Sequence, residues 1–104
     1  MRNMSTGKTR HLLSEDQLGQ VALLFRMLGE PMRLRILQAV CGEPRTVNEI
    51  VEAVEATQAN VSKHLALLAG AGILARRKEG QRVYYCMKDP LAMKLCALVH
   101  KHLE

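Results

Sequence analysis

Apolar residues recur along most of this chain at spacings of three and four, the period of a helix with one buried face. Leu18, Val21, Ala22, Phe25 and Leu28 form the first such set. Ser14 stands ahead of it as a cap and Glu15 and Asp16 fill the first turn, so a helix starts there and Gly29 ends it. Pro31 suits the opening position of a second helix, whose buried stripe is Leu34, Leu37, Val40 and Cys41 and which stops at Gly42 and Pro44. Thr46 with Glu49 three residues on reads as a capping box for a short third helix bearing Ile50, Val51 and Val54. Thr57 caps a fourth. Its apolar residues are Val61, Leu65, Leu67 and Leu68, its polar front is Gln58, Asn60, Ser62, Lys63 and His64, and Gly70 and Gly72 end it. The period then shortens. Ile73 to Lys78 reads as a strand, Glu79-Gly80-Gln81 as a turn and Arg82 to Met87 as a returning strand. Pro90 opens a last helix from Leu91 to about Leu103.

The expected fold is therefore mainly α with one small β-hairpin, in the order α-α-α-α-β-β-α. Residues 1–11 lack periodicity and read as a flexible N-terminal tail, leaving 12–104 as one domain. The last helix has Leu91, Ala92, Leu95, Cys96, Leu98, Val99 and Leu103 apolar, more than one buried stripe requires, and predicts a partner surface. No apolar run approaches the ~18 residues of a membrane span. No signal-peptide pattern follows the basic start, so no membrane partner and a cytoplasmic location are expected.

Charge changes the picture. The net charge is +5 over 104 residues, and its distribution is uneven. Arg76, Arg77, Lys78 and Arg82 surround a single acid, Glu79, whereas Glu43 to Glu55 is acidic apart from Arg45. A basic patch on a small domain favours an anionic partner, nucleic acid first. Two short helices with a tight connection, the second polar at its start, make a helix-turn-helix. In that motif the second helix enters the major groove. Gln58 and Asn60 can pair with adenine, Lys63 with guanine, and Ser62 or His64 with base or phosphate. The basic hairpin becomes a wing beside that helix. Thr46, at the start of the third helix, joins this DNA-binding set.

The segments LGEPMRLRIL at 28–37, NVSKHLALLAGAGIL at 60–74 and RRKEGQRVYY at 76–85 resemble the ArsR/SmtB family of bacterial winged-helix repressors. The resemblance covers about residues 18 to 102. It implies a homodimer joined through its first and last helices, bound to a palindromic double-stranded operator and released by a chemical signal.

Sensor sites differ within the family. Arsenic-type members carry Cys-x-Cys in the third helix, and TVNEIVEAV here has no cysteine. Zinc-type members use four ligands on the last helix. Asp89 and His102 match two of them, while Leu91 takes the place of the second and the chain ends one residue short of the fourth. Three cysteines remain, Cys41, Cys86 and Cys96, without a CxxC. Some relatives sense persulfide or oxidant with one cysteine on the second helix and one on the last. Cys41 and Cys96 lie on those elements, displaced by about a turn from the familiar positions. Trivalent arsenic or antimony prefers thiolates and could use Cys86 and Cys96 with a third ligand. The reading is a thiol-reactive or thiophilic signal centred on Cys96. The alternatives are zinc or a non-cysteine inducer with all three thiols structural, since free cysteine often serves as a small core hydrophobe. No catalytic grouping points to an enzyme, and a protein–protein adaptor using the winged helix without DNA is the other rival.

Overall fold

The computed structural model describes residues 12–104, and the expected tail at 1–11 lies outside the described residues. Five helices and three strands follow in the order α1 (Glu15–Leu28), α2 (Pro31–Val40), β1 (Arg45–Thr46), α3 (Val47–Val54), α4 (Gln58–Gly70), β2 (Leu74–Glu79), β3 (Arg82–Met87) and α5 (Leu91–Leu103). The helix starts are built from local hydrogen bonds. The Ser14 hydroxyl accepts from the Gln17 N–H at 3.1 Å and the Gln17 side chain accepts from the Ser14 N–H at 2.9 Å. Thr46 and Glu49 close a second box at 3.2 and 2.8 Å. Thr57 accepts from the Asn60 N–H at 3.2 Å. Each arrangement satisfies donors that a helix start otherwise leaves unpaired.

The core is a contiguous set: Ile36, Leu37 and Val40 of α2, Ile50 of α3, Val61, Leu65 and Leu68 of α4, Ile73 and Leu74 at the root of the hairpin, and Ala92 of α5. Helices α2, α3 and α4 pack on one another, with α1 against α2. Two expected stripes shift. Cys41, the cap residue of α2, is exposed, and the buried stripe of the helix is Ile36, Leu37 and Val40. Leu67 is also exposed, at the far side of α4 from the core.

The hairpin is part of a three-stranded antiparallel sheet of order β1-β3-β2, a strand more than the sequence pattern predicts. Arg45 pairs with Tyr85 and Thr46 with Tyr84, which fastens the start of α3 to the wing. Strands β2 and β3 join through Gly80 and Gln81, and Gly80 has φ +63°. That fits a two-residue turn with glycine at its first central position, whose twist suits a hairpin. The α3–α4 connection is Glu55 to Thr57. Glu55 ends α3 in the left-handed conformation at φ 55°, its N–H donating to Val51 O at 2.9 Å.

Candidate nucleic-acid interface

A helix advances 100° per residue. On α4 this puts Val61, His64, Leu65 and Leu68 on one buried arc and Gln58, Ala59, Asn60, Ser62 and Lys63 on the opposite exposed one. Five of the expected reading residues therefore divide. Gln58, Asn60, Ser62 and Lys63 share the solvent face at the helix start. His64 does not: it is 6% exposed, and its Nδ1 lies 3.4 Å from the Arg33 guanidinium. The polar-front expectation for His64 is thus corrected. At 240° around the helix from Gln58 it falls on the buried side, where Arg33 of α2 supplies a polar partner.

The wing's charges also divide, because side chains alternate across a strand. The register pairs Arg76 with Tyr85, Arg77 with Tyr84, Lys78 with Val83 and Glu79 with Arg82. Arg77, Glu79 and Arg82 consequently share one face of the hairpin, and Arg76 and Lys78 share the other with Leu74. Arg77 Nε sits 3.0 Å from Glu79 Oε2, with both side chains half exposed. The basic run is two faces of unequal charge, one of which holds the acid.

Helices α3 and α4 and the wing turn border an open cleft of about 600 Å³, in which Thr46, Asn48, Glu49, Glu52, Gln58 and Arg82 stand beside Val47 and Val83. Thr46 reaches this cleft with its hydroxyl already accepting in the cap of α3. The Thr46 backbone N–H holds the Glu49 carboxyl below the usual carboxylate range, aided by the Thr46 hydroxyl and by the charges of Arg45 and Arg82. Asn48 and Gln81 line the same cleft and are absent from the sequence-derived set. Their only sequence signal is position, beside a cap and in a turn.

The cysteines are free and spread out. Cys41 is exposed at the C-terminal end of α2, and Cys86 is half-buried on β3 with its thiol 3.8 Å from Ala75 O. Cys96 is half-buried on α5, in an apolar groove shared with Phe25, Leu28, Leu34, Val99 and Leu103. Among the described residues no three His, Cys, Asp or Glu side chains cluster as metal ligands would. Asp89 lies just ahead of α5 and His102 in its last turn, so the eleven helical steps from Leu91 to His102 alone separate them by about 16 Å along the axis at 1.5 Å per residue. The Asp89 carboxylate accepts from the Leu91 N–H at 3.0 Å, a helix-start role. No described helix is long and apolar enough to cross a membrane.

Comparison with known proteins gives this geometry a context. The family model "Bacterial regulatory protein, arsR family" matches residues 30–76, from the Glu30 cap of α2 to the first arginine of the wing. The chain is 31% identical over 93 residues to a "Transcriptional repressor SmtB homolog" of Synechocystis sp., covering 89% of this chain and 70% of that one. It is 36% identical over 77 residues to a "Probable mercury resistance operon repressor" of Streptomyces lividans, covering 74% and 62% respectively. Among solved structures, the homodimeric winged helix-turn-helix DNA-binding domain of a Mycobacterium bovis protein superposes with a TM-score of 0.78 at 29% identity, over 89% of each chain. HlyU from Vibrio cholerae superposes with a TM-score of 0.76 at 27% identity, over 85% of this chain and 96% of that one. With its winged helix-turn-helix architecture and a relative matched across most of both sequences, the chain belongs to the ArsR family of bacterial regulatory proteins.

Proposed function

We propose that the chain is a cytoplasmic transcriptional repressor that binds a palindromic operator as a homodimer and is released by a thiol-reactive or thiophilic signal. The observation that carries DNA binding is the exposed start of α4. Gln58, Asn60, Ser62 and Lys63 stand on one solvent face there, next to a hairpin bearing Arg76, Lys78 and Arg82. Two of these α4 residues offer amide groups suited to adenine and one an ammonium suited to guanine, while the wing residues suit phosphate.

Dimerisation is supported by the outer helices. Helix α1 contributes no buried residue and α5 only Ala92, yet together they expose Leu18, Phe25, Leu98, Val99 and Leu103. Phe25 is 59% exposed and Leu98 67%. Large apolar groups left in water on two adjoining helices favour a second copy, and the Mycobacterium bovis relative is described as homodimeric.

The switch centres on Cys96. Its thiol lies in the groove between α1, α2 and α5, so a modification there changes how the outer helices pack. The distance between two recognition helices must match half-sites ~34 Å apart, and a shift of a few ångströms breaks phosphate contacts on one of them. Cys41 and Cys86 are the second candidates. Any arsenite or antimonite chelation by three ligands draws on both protomers or on rearrangement, since the described residues of one chain do not cluster them.

The test is binding to a selected duplex by wild type and by Cys96→Ser, Cys41→Ser and Cys86→Ser, with and without persulfide, peroxide and arsenite. Loss of binding in wild type but not in Cys96→Ser is expected. Wild-type affinity unchanged under all three reagents sinks the thiol switch and points to zinc or another non-cysteine inducer. Random-duplex binding that ignores salt sinks DNA binding itself and favours the adaptor reading.

A further inference from the structure

We propose that Arg33 and His64 are positioning residues for DNA reading, tying the rotation of α4 about its own axis to the C-terminal end of α1. The inference rests on the reading of α4 as the DNA-facing helix. It begins with the way one guanidinium is shared. Arg33, in the first turn of α2, donates from Nε to Met27 O at 2.8 Å and from Nη2 to Arg26 O at 3.1 Å. Both carbonyls belong to the last turn of α1, where acceptors lack i+4 partners in the helix; Arg26 O also accepts from the Gly29 N–H at 3.4 Å. The third edge of the same group, Nη1, lies 3.4 Å from Nδ1 of His64. One planar group thus spans the end of α1 and the middle of α4.

The contact is a hydrogen bond in one imidazole tautomer. Guanidinium has donors only and stays charged. His64 Nδ1 must therefore accept, which leaves the proton of a neutral ring on Nε2. Among the described residues His64 is the only buried polar or charged side chain. Away from water, its Nδ1 has this one acceptor contact to keep.

A buried, anchored ring restrains the helix that carries it. His64 follows Lys63 directly and lies one turn beyond Asn60, so turning α4 to re-aim those two drags His64 off Arg33. A roll of about 10° moves a side-chain tip at about 6 Å from the axis by about 1 Å. The spread of good N–H···O distances is only about 0.5 Å. Phosphate contacts by flexible wing residues tolerate such a roll, whereas base-edge contacts do not. Because α1 is one of the two proposed dimer helices, the same tie carries a change in dimer packing to the reading face.

Four variants separate positioning from mere support. Arg33→Met keeps the stem without donors, and Arg33→Lys keeps charge without the fork. His64→Leu fills the space without an acceptor, and His64→Asn offers an amide oxygen near the place of Nδ1. Binding is measured to the duplex that wild type selects from a random pool and to an unrelated duplex, at a temperature where circular dichroism shows every variant folded. His64→Leu and Arg33→Met should each lower the selected-to-unrelated affinity ratio by about tenfold or more, the scale of one lost base contact. Affinity for unrelated duplex and its salt slope should stay put. His64→Asn should retain most of the ratio, Arg33→Lys should not, and Arg33→Met with His64→Leu should be no worse than either alone. Nitrogen-15 spectra of wild type should show His64 unprotonated at Nδ1 and protonated at Nε2. A lowered melting temperature with an unchanged ratio in His64→Leu overturns the proposal in favour of a purely structural pair. An Nδ1–H tautomer, or additive effects of the two substitutions, overturns it as well. Asn60→Ala and Lys63→Ala serve as controls. If they leave base preference intact, the reading of α4 fails first; if they alter it while His64→Leu does not, only the tie is wrong.

Discussion

Replacing Arg76 by alanine should flatten the salt dependence of DNA binding more than replacing Arg77. The two arginines are neighbours in sequence but lie on opposite faces of the hairpin. Arg77 is held by Glu79 at 3.0 Å, so its charge is partly compensated before DNA arrives. Arg76 is exposed, and the ion pairs among the described residues do not include it. Each phosphate neutralised on duplex DNA contributes about 0.9 to the slope of log affinity against log salt, so a dimer losing two copies of Arg76 loses about 1.8. Between about 50 and 200 mM salt the concentration rises by about 0.6 log units, so wild type should lose about tenfold more affinity than Arg76→Ala over that span. Fluorescence anisotropy with a labelled random duplex at four or five salt concentrations measures this directly. Glu79→Gln should act in the opposite sense, freeing Arg77 and steepening the slope. Equal slopes for wild type and Arg76→Ala, or equal losses for Arg76→Ala and Arg77→Ala, would refute the division of the wing into two unequal faces.

Phe25→Glu or Leu98→Glu should weaken the proposed dimer by about 3 kcal/mol or more, a hundredfold or greater, because a symmetric contact through α1 and α5 would bury each side chain twice. Sedimentation equilibrium showing an intact dimer at low micromolar concentration would place the contact elsewhere. Glu55→Gly should stabilise the fold by about 0.5–1 kcal/mol, the relief of a left-handed non-glycine residue less the extra chain entropy of glycine. An unchanged or lower urea midpoint counts against strain at that connection. The folded-state pKa of Glu49 is lowered, so its capping contribution is present at neutral pH and is lost as pH falls through the carboxylate range. Stability of Glu49→Gln should accordingly depend less on pH than that of wild type, and parallel curves between about pH 7 and pH 3 would contradict the assignment.

How much of this was readable before any coordinates depends on the range of the interactions involved. The caps at Ser14, Thr46 and Thr57 are hydrogen bonds within four residues, and the sequence pattern locates all three. Periodicity places Val61, Leu65 and Leu68 of α4 in the core, but it also picks Leu67, which is exposed, and passes over His64, which is buried. Strand β1 could not be read that way. It is two residues long, too short to alternate, and its partners Tyr84 and Tyr85 are about forty positions away. His64 fails for a related reason. Its polarity suggests solvent, and only a guanidinium donated from another helix makes its burial tolerable. The two faces of the wing were within reach, since alternation from a turn at Gly80 assigns them, but a list of charges along the chain hides it. Cys41 is exposed although its backbone is still helical, because it caps the end of α2 beyond the last buried position, Val40, which a count of apolar spacing does not reveal.

The shortness of β1 has a consequence for how this architecture can change over generations. Pairing with β1 reaches only Tyr84 and Tyr85, so Lys78 to Val83 are paired only within the hairpin's own ladder, and none of them is a buried core residue. Insertions of two residues on each side of Gly80 would extend the tip by roughly 7 Å while keeping every side chain on its present face. A single inserted residue would instead exchange the two faces beyond that point. The length of the outer hairpin is therefore a quantity that mutation can adjust in paired steps, altering how far the wing projects without reopening the problem of how the chain folds.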